Sequence, residues 1–125
     1  MTFSIVALSP GGHFLGVATA TCTLAVGAVV PAASPRAGAL ATQAYTNRTF
    51  RSRVLELLRA GILPEEVPGV LRREDDLFDR RQLAIVDPTG RSATWTGPAC
   101  SAWAGGRNGP GYAVVGNFVV GPEVV

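Results

Sequence analysis

The sequence predicts an α+β fold, because short strand-like runs at both ends of the chain enclose a middle stretch with helical periodicity. Three observations carry this. Residues 2–21 hold two extended runs separated by Ser9-Pro10-Gly11-Gly12, residues 50–60 repeat apolar side chains at helical spacing, and Asp87-Pro88-Thr89-Gly90 separates two further extended runs. With 125 residues, 47 % of them apolar, the chain fits a single domain, 1–125, able to bury a core.

The elements follow in order. Thr2 to Leu8 alternates only weakly and reads as a buried strand; the Ser-Pro-Gly-Gly turn returns the chain into a partner strand from Phe14 to about Thr21. Val26–Val30 and Gly38–Tyr45 read as further extended segments, with Pro31 to Pro35 as the turn between them. Val54, Leu55, Leu57 and Leu58 then share one side of a helix whose other side carries Arg51, Arg53, Glu56 and Arg59. Asn47 or Thr49 can cap its start and Gly61 can close it. Pro64-Glu65-Glu66 suits the first turn of a second helix, which Pro68-Gly69 shortens, distorts or restarts at Val70. Gln82–Asp87 and Ser92–Thr96 flank a hairpin turn in which Pro presets φ and Gly supplies a positive one. Gly97–Gly111 reads as a Gly- and Pro-rich loop, and Tyr112–Val120 returns to strand.

Composition narrows the function. All 11 basic residues are arginine and lysine is absent; the densest charged stretch, Arg72 to Arg81, alternates in sign, which describes a solvated surface and no nucleic-acid interface. No basic, then apolar, leader opens the chain, and Leu24–Val30 is too short to span a bilayer, so the expectation is a cytoplasmic protein with no membrane partner. Cys22 and Cys100 are too few and too distant for a disulfide framework or a zinc site and read as reduced thiols. His13 is the sole histidine and has no carboxylate at ligand spacing, so no metal is expected. Gly105 to Gly111 is glycine-rich but lacks the Lys-Ser/Thr of a phosphate loop and reads as a flexible loop, so no cofactor is expected either.

The chemistry concentrates at the N-terminus. Met1 is commonly removed when the next residue is as small as threonine, and this would leave Thr2 with a hydroxyl and a free α-amine on one residue, a complete minimal nucleophile and base. The alternative, and the commoner case for an arbitrary chain, is that Thr2 merely follows a start codon. Cys22 with His13 as base is a second nucleophile reading, set against the tendency of cysteine to be buried and of His13 to occupy an exposed turn.

Thr2-Phe3-Ser4-Ile5-Val6-Ala7, Leu15-Gly16-Val17-Ala18, Ala25 to Pro31, Ala41-Thr42-Gln43-Ala44-Tyr45, Ile85-Val86-Asp87, Trp103-Ala104-Gly105 and Gly109 to Val114 resemble, in order, the bacterial and archaeal domain of unknown function 1028 (DUF1028) family. That family is placed among the N-terminal-nucleophile (Ntn) hydrolases. The resemblance implies an Ntn-hydrolase-like αββα sandwich, here without its usual C-terminal part, and an amidohydrolase or peptidase-like activity on a small peptide or amide. With Thr2 as the catalytic nucleophile an oxyanion donor is needed; Asn117, beside Gly116 in an extended run, is the candidate, with Thr42, Gln43 and Asn47 as candidate substrate contacts, and for each the alternative, more common role is to satisfy loop backbone. Some Ntn hydrolases use a lysine beside the nucleophile. Where relatives show Ser-Lys this chain has Thr21-Cys22, with Arg36 or Arg48 as compensating cations. The departure permits a second reading, a catalytically inactive binding or assembly module on the same fold. A shortened sheet would leave an open edge or a bare apolar face, which points to a homo-oligomer.

Overall fold

Turn chemistry decides how the strands pair. In the computed structural model, which describes residues 1–125, Ser9 Oγ accepts hydrogen bonds from the backbone of His13 (3.2 Å) and Phe14 (3.1 Å), closing the hairpin between β1 (Thr2–Leu8) and β2 (Leu15–Thr21). The Asp87 carboxylate does the same for a second hairpin: its Oδ1 accepts from Thr89 N, Thr89 Oγ1 and Arg91 N at 2.8, 2.7 and 3.0 Å, and Gly90 takes φ 85°. That turn joins β5 (Arg81–Val86) to β6 (Ser92–Thr96). With β3 (Pro31–Ser34), β4 (Gly38–Ala44), β7 (Ala104–Gly109) and β8 (Tyr112–Asn117), the strands form two antiparallel four-stranded sheets. Their orders are β2-β1-β8-β7 and β3-β4-β5-β6.

The sheets pack face to face on small residues: Val6, Ala113 and Val115 of the first meet Ala39, Ala41, Ala84 and Val86 of the second. On its other face the second sheet buries Leu40, Leu83 and Ile85 beneath Phe50, Val54, Leu55 and Leu57 of α1 (Phe50–Arg59) and Val67 and Leu71 of α2 (Val67–Arg72). Asn47 Oδ1 accepts from Thr49 N and Thr49 Oγ1 (3.1 and 2.7 Å) ahead of α1, and Gly61 follows the helix at φ 87°. Pro68 sits in the first turn of α2, where a missing N–H costs nothing, so the Pro-Gly pair begins this short helix and does not interrupt it. The molecule is an α+β sandwich with helices on one sheet. The first sheet's outer face, carrying Phe3 (41 % exposed), Ile5 (42 %) and Tyr112 (37 %), is bare. No helix is long and apolar enough to cross a membrane.

Three sequence expectations need correction. Val26–Val30 is not extended: Val26–Ala28 form a 3-10 turn after Ala25 at φ 57°, because Val26, Val29 and Val30, spaced three and four apart, all turn onto the inter-sheet core. The Pro31 to Pro35 turn is largely β3, an edge strand that opens on a proline, which an edge tolerates. Gly105–Gly109 belong to strand β7 and not to a loop. Here a side chain is excluded by aromatic rings, since a Cβ at Gly105 would lie 2.4 Å from the Trp103 ring and one at Gly109 would lie 2.8 Å from the Tyr112 ring.

Candidate functional site

Strand alternation places Thr2 on the inner face of β1, in line with Ser4 and Val6, at the end of the sandwich where the apolar packing stops. There it borders an open cleft of about 460 Å³ with Thr21, Thr23, Tyr45, Arg80, Cys100, Ser101 and Asn117. β1 is a central strand, and Thr2 is paired on one side with Thr21 and on the other with Asn117. The hydroxyls of Thr2 and Thr21 are 2.9 Å apart, and Thr21 Oγ1 donates to the Met1 carbonyl at 2.9 Å. One step further in, Ser4 and Thr19 repeat the cross-strand hydroxyl pair at 2.9 Å.

Beneath the cleft floor lies a buried amide network. Gln82 Nε2 donates to Gly116 O (2.8 Å), Gly105 O (3.2 Å) and Thr96 Oγ1 (2.9 Å); two of these are carbonyls, so the amide's orientation is fixed. Its Oε1 must then accept, and it does so from Gln43 Nε2 (2.8 Å) and Asn117 Nδ2 (2.9 Å). Gln43 Oε1 in turn accepts from Ser4 Oγ at 2.5 Å, and Gln43 Nε2 reaches Thr2 O at 3.4 Å. The network ties both sheets together below Thr2 and leaves Asn117 Nδ2 one further proton.

The sequence-derived candidates divide on this geometry. Thr2 and Asn117 come together on the cleft. Gln43 is buried between the sheets and supports the floor without facing the cleft. Thr42 points the opposite way, toward the helix layer with Leu40, and its buried Oγ1 has no hydrogen-bond partner. Asn47 caps the approach to α1 and donates to Asp75 Oδ2 at 3.1 Å. Thr42, Gln43 and Asn47 therefore have no surface on the cleft from which to touch a substrate. Arg36 and Arg48 border other hollows; the cation at the cleft is Arg80.

Rival nucleophiles fare poorly. Cys22 is exposed and separated from His13 by the whole of β2, about 20 Å of extended chain, so the pair cannot form a dyad. The Cys100 thiol lies in the cleft, but burial pushes its pKa up against a hydrogen bond from the Gly97 backbone, and the thiol points at Arg81 O at 3.4 Å. No group of three or more His, Cys, Asp or Glu side chains is arranged so that it could hold a metal ion.

Reading the sequence missed Tyr45, Arg80 and Ser101. Tyr45 lies against two guanidiniums, Arg81 Cζ at 5.0 Å and Arg80 Cζ at 6.0 Å from its ring centroid. Arg81 is buried and paired with Asp75 at 2.8 Å, whereas Arg80 makes no ion pair and is the one charged side chain on a cleft without carboxylates. Ser101 makes no side-chain hydrogen bond. Ala44 (φ 68°) and Phe118 (φ 53°), both at strand ends, line the cleft in the left-handed region that residues other than glycine seldom adopt. None of this has a local signature in sequence.

The family model described as a family of unknown function (DUF1028) matches residues 2–125. The crystal structure of protein SPO2555 from Silicibacter pomeroyi, described with the same family, superposes with a TM-score of 0.93 at 32 % identity. The match covers 98 % of this chain and 57 % of that one, so this chain spans little more than half the length of that relative. No curated protein matches. Agreement of sequence and backbone over nearly the whole chain shows that this protein belongs to the DUF1028 family.

Proposed function

We propose that the protein is an Ntn-type amidohydrolase in which Met1 is removed and Thr2 serves as nucleophile and base. Thr2 Oγ1 adds to the carbonyl carbon of a substrate amide while its proton passes to the Thr2 α-amine. The oxyanion is held by the second Nδ2 proton of Asn117 and by the Ser101 hydroxyl. Collapse returns the proton to the departing amine and leaves an ester on Thr2, which water hydrolyses. The observation that carries this reading is the position of Thr2: fixed in a central strand, its hydroxyl on a cleft, its strand neighbours both hydrogen-bonding residues. Met1 itself lines the cleft, so its loss opens space at the nucleophile.

Arg80, an unpaired cation on a cleft without carboxylates, favours a substrate bearing a carboxylate near the scissile amide, such as an N-acyl amino acid or a peptide end. The test is intact mass before and after treatment with a β-lactone that acylates N-terminal threonine, followed by peptide mapping. The expected result is a chain lacking Met1 that gains one acyl group on Thr2, and Thr2→Ala gains none. Retention of Met1, or acyl transfer to Cys100 alone, overturns the reading. A second reading, a non-catalytic binding or assembly module, is favoured by the absence of lysine and by the placement of Arg36 and Arg48 away from the cleft.

A further inference from the structure

The hydroxyl of Thr21 stands between the two groups that the nucleophile must couple. Thr21 Oγ1 has one proton. The Met1 carbonyl can only accept, so that proton points to Met1 O across 2.9 Å. The hydrogen bond between Thr2 Oγ1 and Thr21 Oγ1, also 2.9 Å, is therefore donated by Thr2. The order Thr2 O–H to Thr21 O–H to Met1 O is fixed by the chemistry of its last member. Met1 O belongs to the peptide group whose nitrogen is Thr2 N and lies about 2.3 Å from that nitrogen by ordinary amide geometry. When Met1 leaves, the acceptor vanishes, and the lone pair of the new Thr2 amine is generated beside the vacated position.

We propose that Thr21 is a catalytic proton relay between the Thr2 hydroxyl and the Thr2 α-amine. The inference rests on the reading of Thr2 as nucleophile and names the route of its proton. As Thr2 Oγ1 bonds to the substrate carbonyl carbon, its proton moves to Thr21 Oγ1 and the Thr21 proton moves to the amine, which becomes an ammonium; Thr21 is left unchanged. On collapse the ammonium returns a proton to Thr21 Oγ1 and the proton that Thr21 already carries passes to the departing amine, because Thr2 Oγ1 now holds the acyl group. The geometric need is plain. Within one threonine the hydroxyl and amine sit on adjacent carbons, so direct transfer closes a five-membered ring whose O–H···N angle falls far below the roughly 150° that hydrogen bonds prefer. Passage through a second oxygen widens the ring to seven and lets both bonds straighten.

The surroundings hold Thr21 in place for this. It faces Thr2 in the β1–β2 register, and the Thr23 backbone N–H approaches its Oγ1 at 3.4 Å, occupying the lone pair that Thr2 does not use. Of the other groups at the cleft, the Cys100 thiol is engaged on Arg81 O and one Asn117 amide proton on Gln82.

The experiment compares wild type, Thr21→Val and Thr21→Ser in β-lactone acylation of Thr2, followed by intact mass at pH 7, with Met1 removal verified in each. Valine keeps the β-branched shape of the strand and deletes the relay; serine restores the hydroxyl. Thr21→Val is expected to acylate about 10²-fold more slowly and Thr21→Ser close to wild type. The second readout is the titration of the Thr2 α-amine followed by 15N NMR. A hydroxyl donating to the neutral amine lowers its pKa, so Thr21→Val is expected to raise it. Wild-type acylation rates in Thr21→Val, or an unmoved amine titration, overturn the relay and leave Thr2 as nucleophile. A wild-type protein that is never acylated overturns the Thr2 reading and the relay with it.

Discussion

Thr42 and Asp75 show how much a single buried polar atom decides. The Thr42 hydroxyl is enclosed beneath the helices without a partner, and an unsatisfied buried hydroxyl costs about 1–3 kcal/mol. Thr42→Val, the same shape without the oxygen, is expected to stabilise the fold by about 1 kcal/mol in denaturant titration while Thr2 acylation is unchanged. Asp75 is the opposite case. Hydrogen bonds from Arg81, then Asn47 and the Leu77 backbone, outweigh burial and hold its carboxyl below the usual range. Asp87 is also lowered: burial opposes ionisation, and the bonds from Thr89 and Arg91 together overcome it. A carboxyl depressed in the folded state contributes stability that is complete above its unfolded pKa, about 3.9, and is lost as pH falls through the folded value. Thermal melts should therefore be level at neutral pH and fall below about pH 4, and Asp75→Ala and Asp87→Ala should each flatten that acid limb. Asp75→Ala also strands Arg81 in the interior and is expected to cost roughly 3–5 kcal/mol.

At the scale of elements, one edge of each sheet depends on glycines. Gly97 follows β6, and a Cβ there would lie 2.2 Å from Asp79 O, a backbone atom that cannot turn aside. Gly97→Ala is expected to cost about 1–3 kcal/mol and to disturb the segment carrying Cys100 and Ser101, so acylation of Thr2 should slow along with the loss of stability. β7 shows the complementary effect: its glycines make room for the rings of Trp103 and Tyr112 on the outer face. Read locally, such a stretch is a loop, because nothing in it except the partner strand β8 tells it to be extended. The hairpins at Ser9 and Asp87 were legible for the converse reason, since their side chains bond the backbone within five residues.

For the whole molecule, the uneven cover of the two sheets matters most. The helices bury one face of the second sheet, while Phe3, Ile5, Val114 and Tyr112 of the first line an outer face on which Arg107 is the one charged residue. A contiguous apolar face of this kind drives association in water. We expect the 125-residue chain to self-associate in sedimentation velocity, and Phe3→Ser with Ile5→Thr to shift it toward monomer; a wild-type monomer at every concentration would refute this.

The sequence by itself determined the class α+β, both side-chain-closed hairpins, the first helix with its closing glycine, and the family, because each is written in contiguous residues and short-range bonds. It also offered Thr2, the residue that removal of Met1 would make first, and Asn117, from its place beside Gly116 in an extended run. Tertiary structure alone decided the rest of the site. Pairing β1 between β2 and β8 brings residues 2, 21 and 117 side by side; the facing sheet supplies Gln43 and Gln82 beneath them, and the segments after β4 and β6 bring Tyr45, Cys100 and Ser101 to the rim. Chain neighbours fix conformation, but contacts across such separations follow from which apolar faces must be buried together, and that is settled only when the sheets stack.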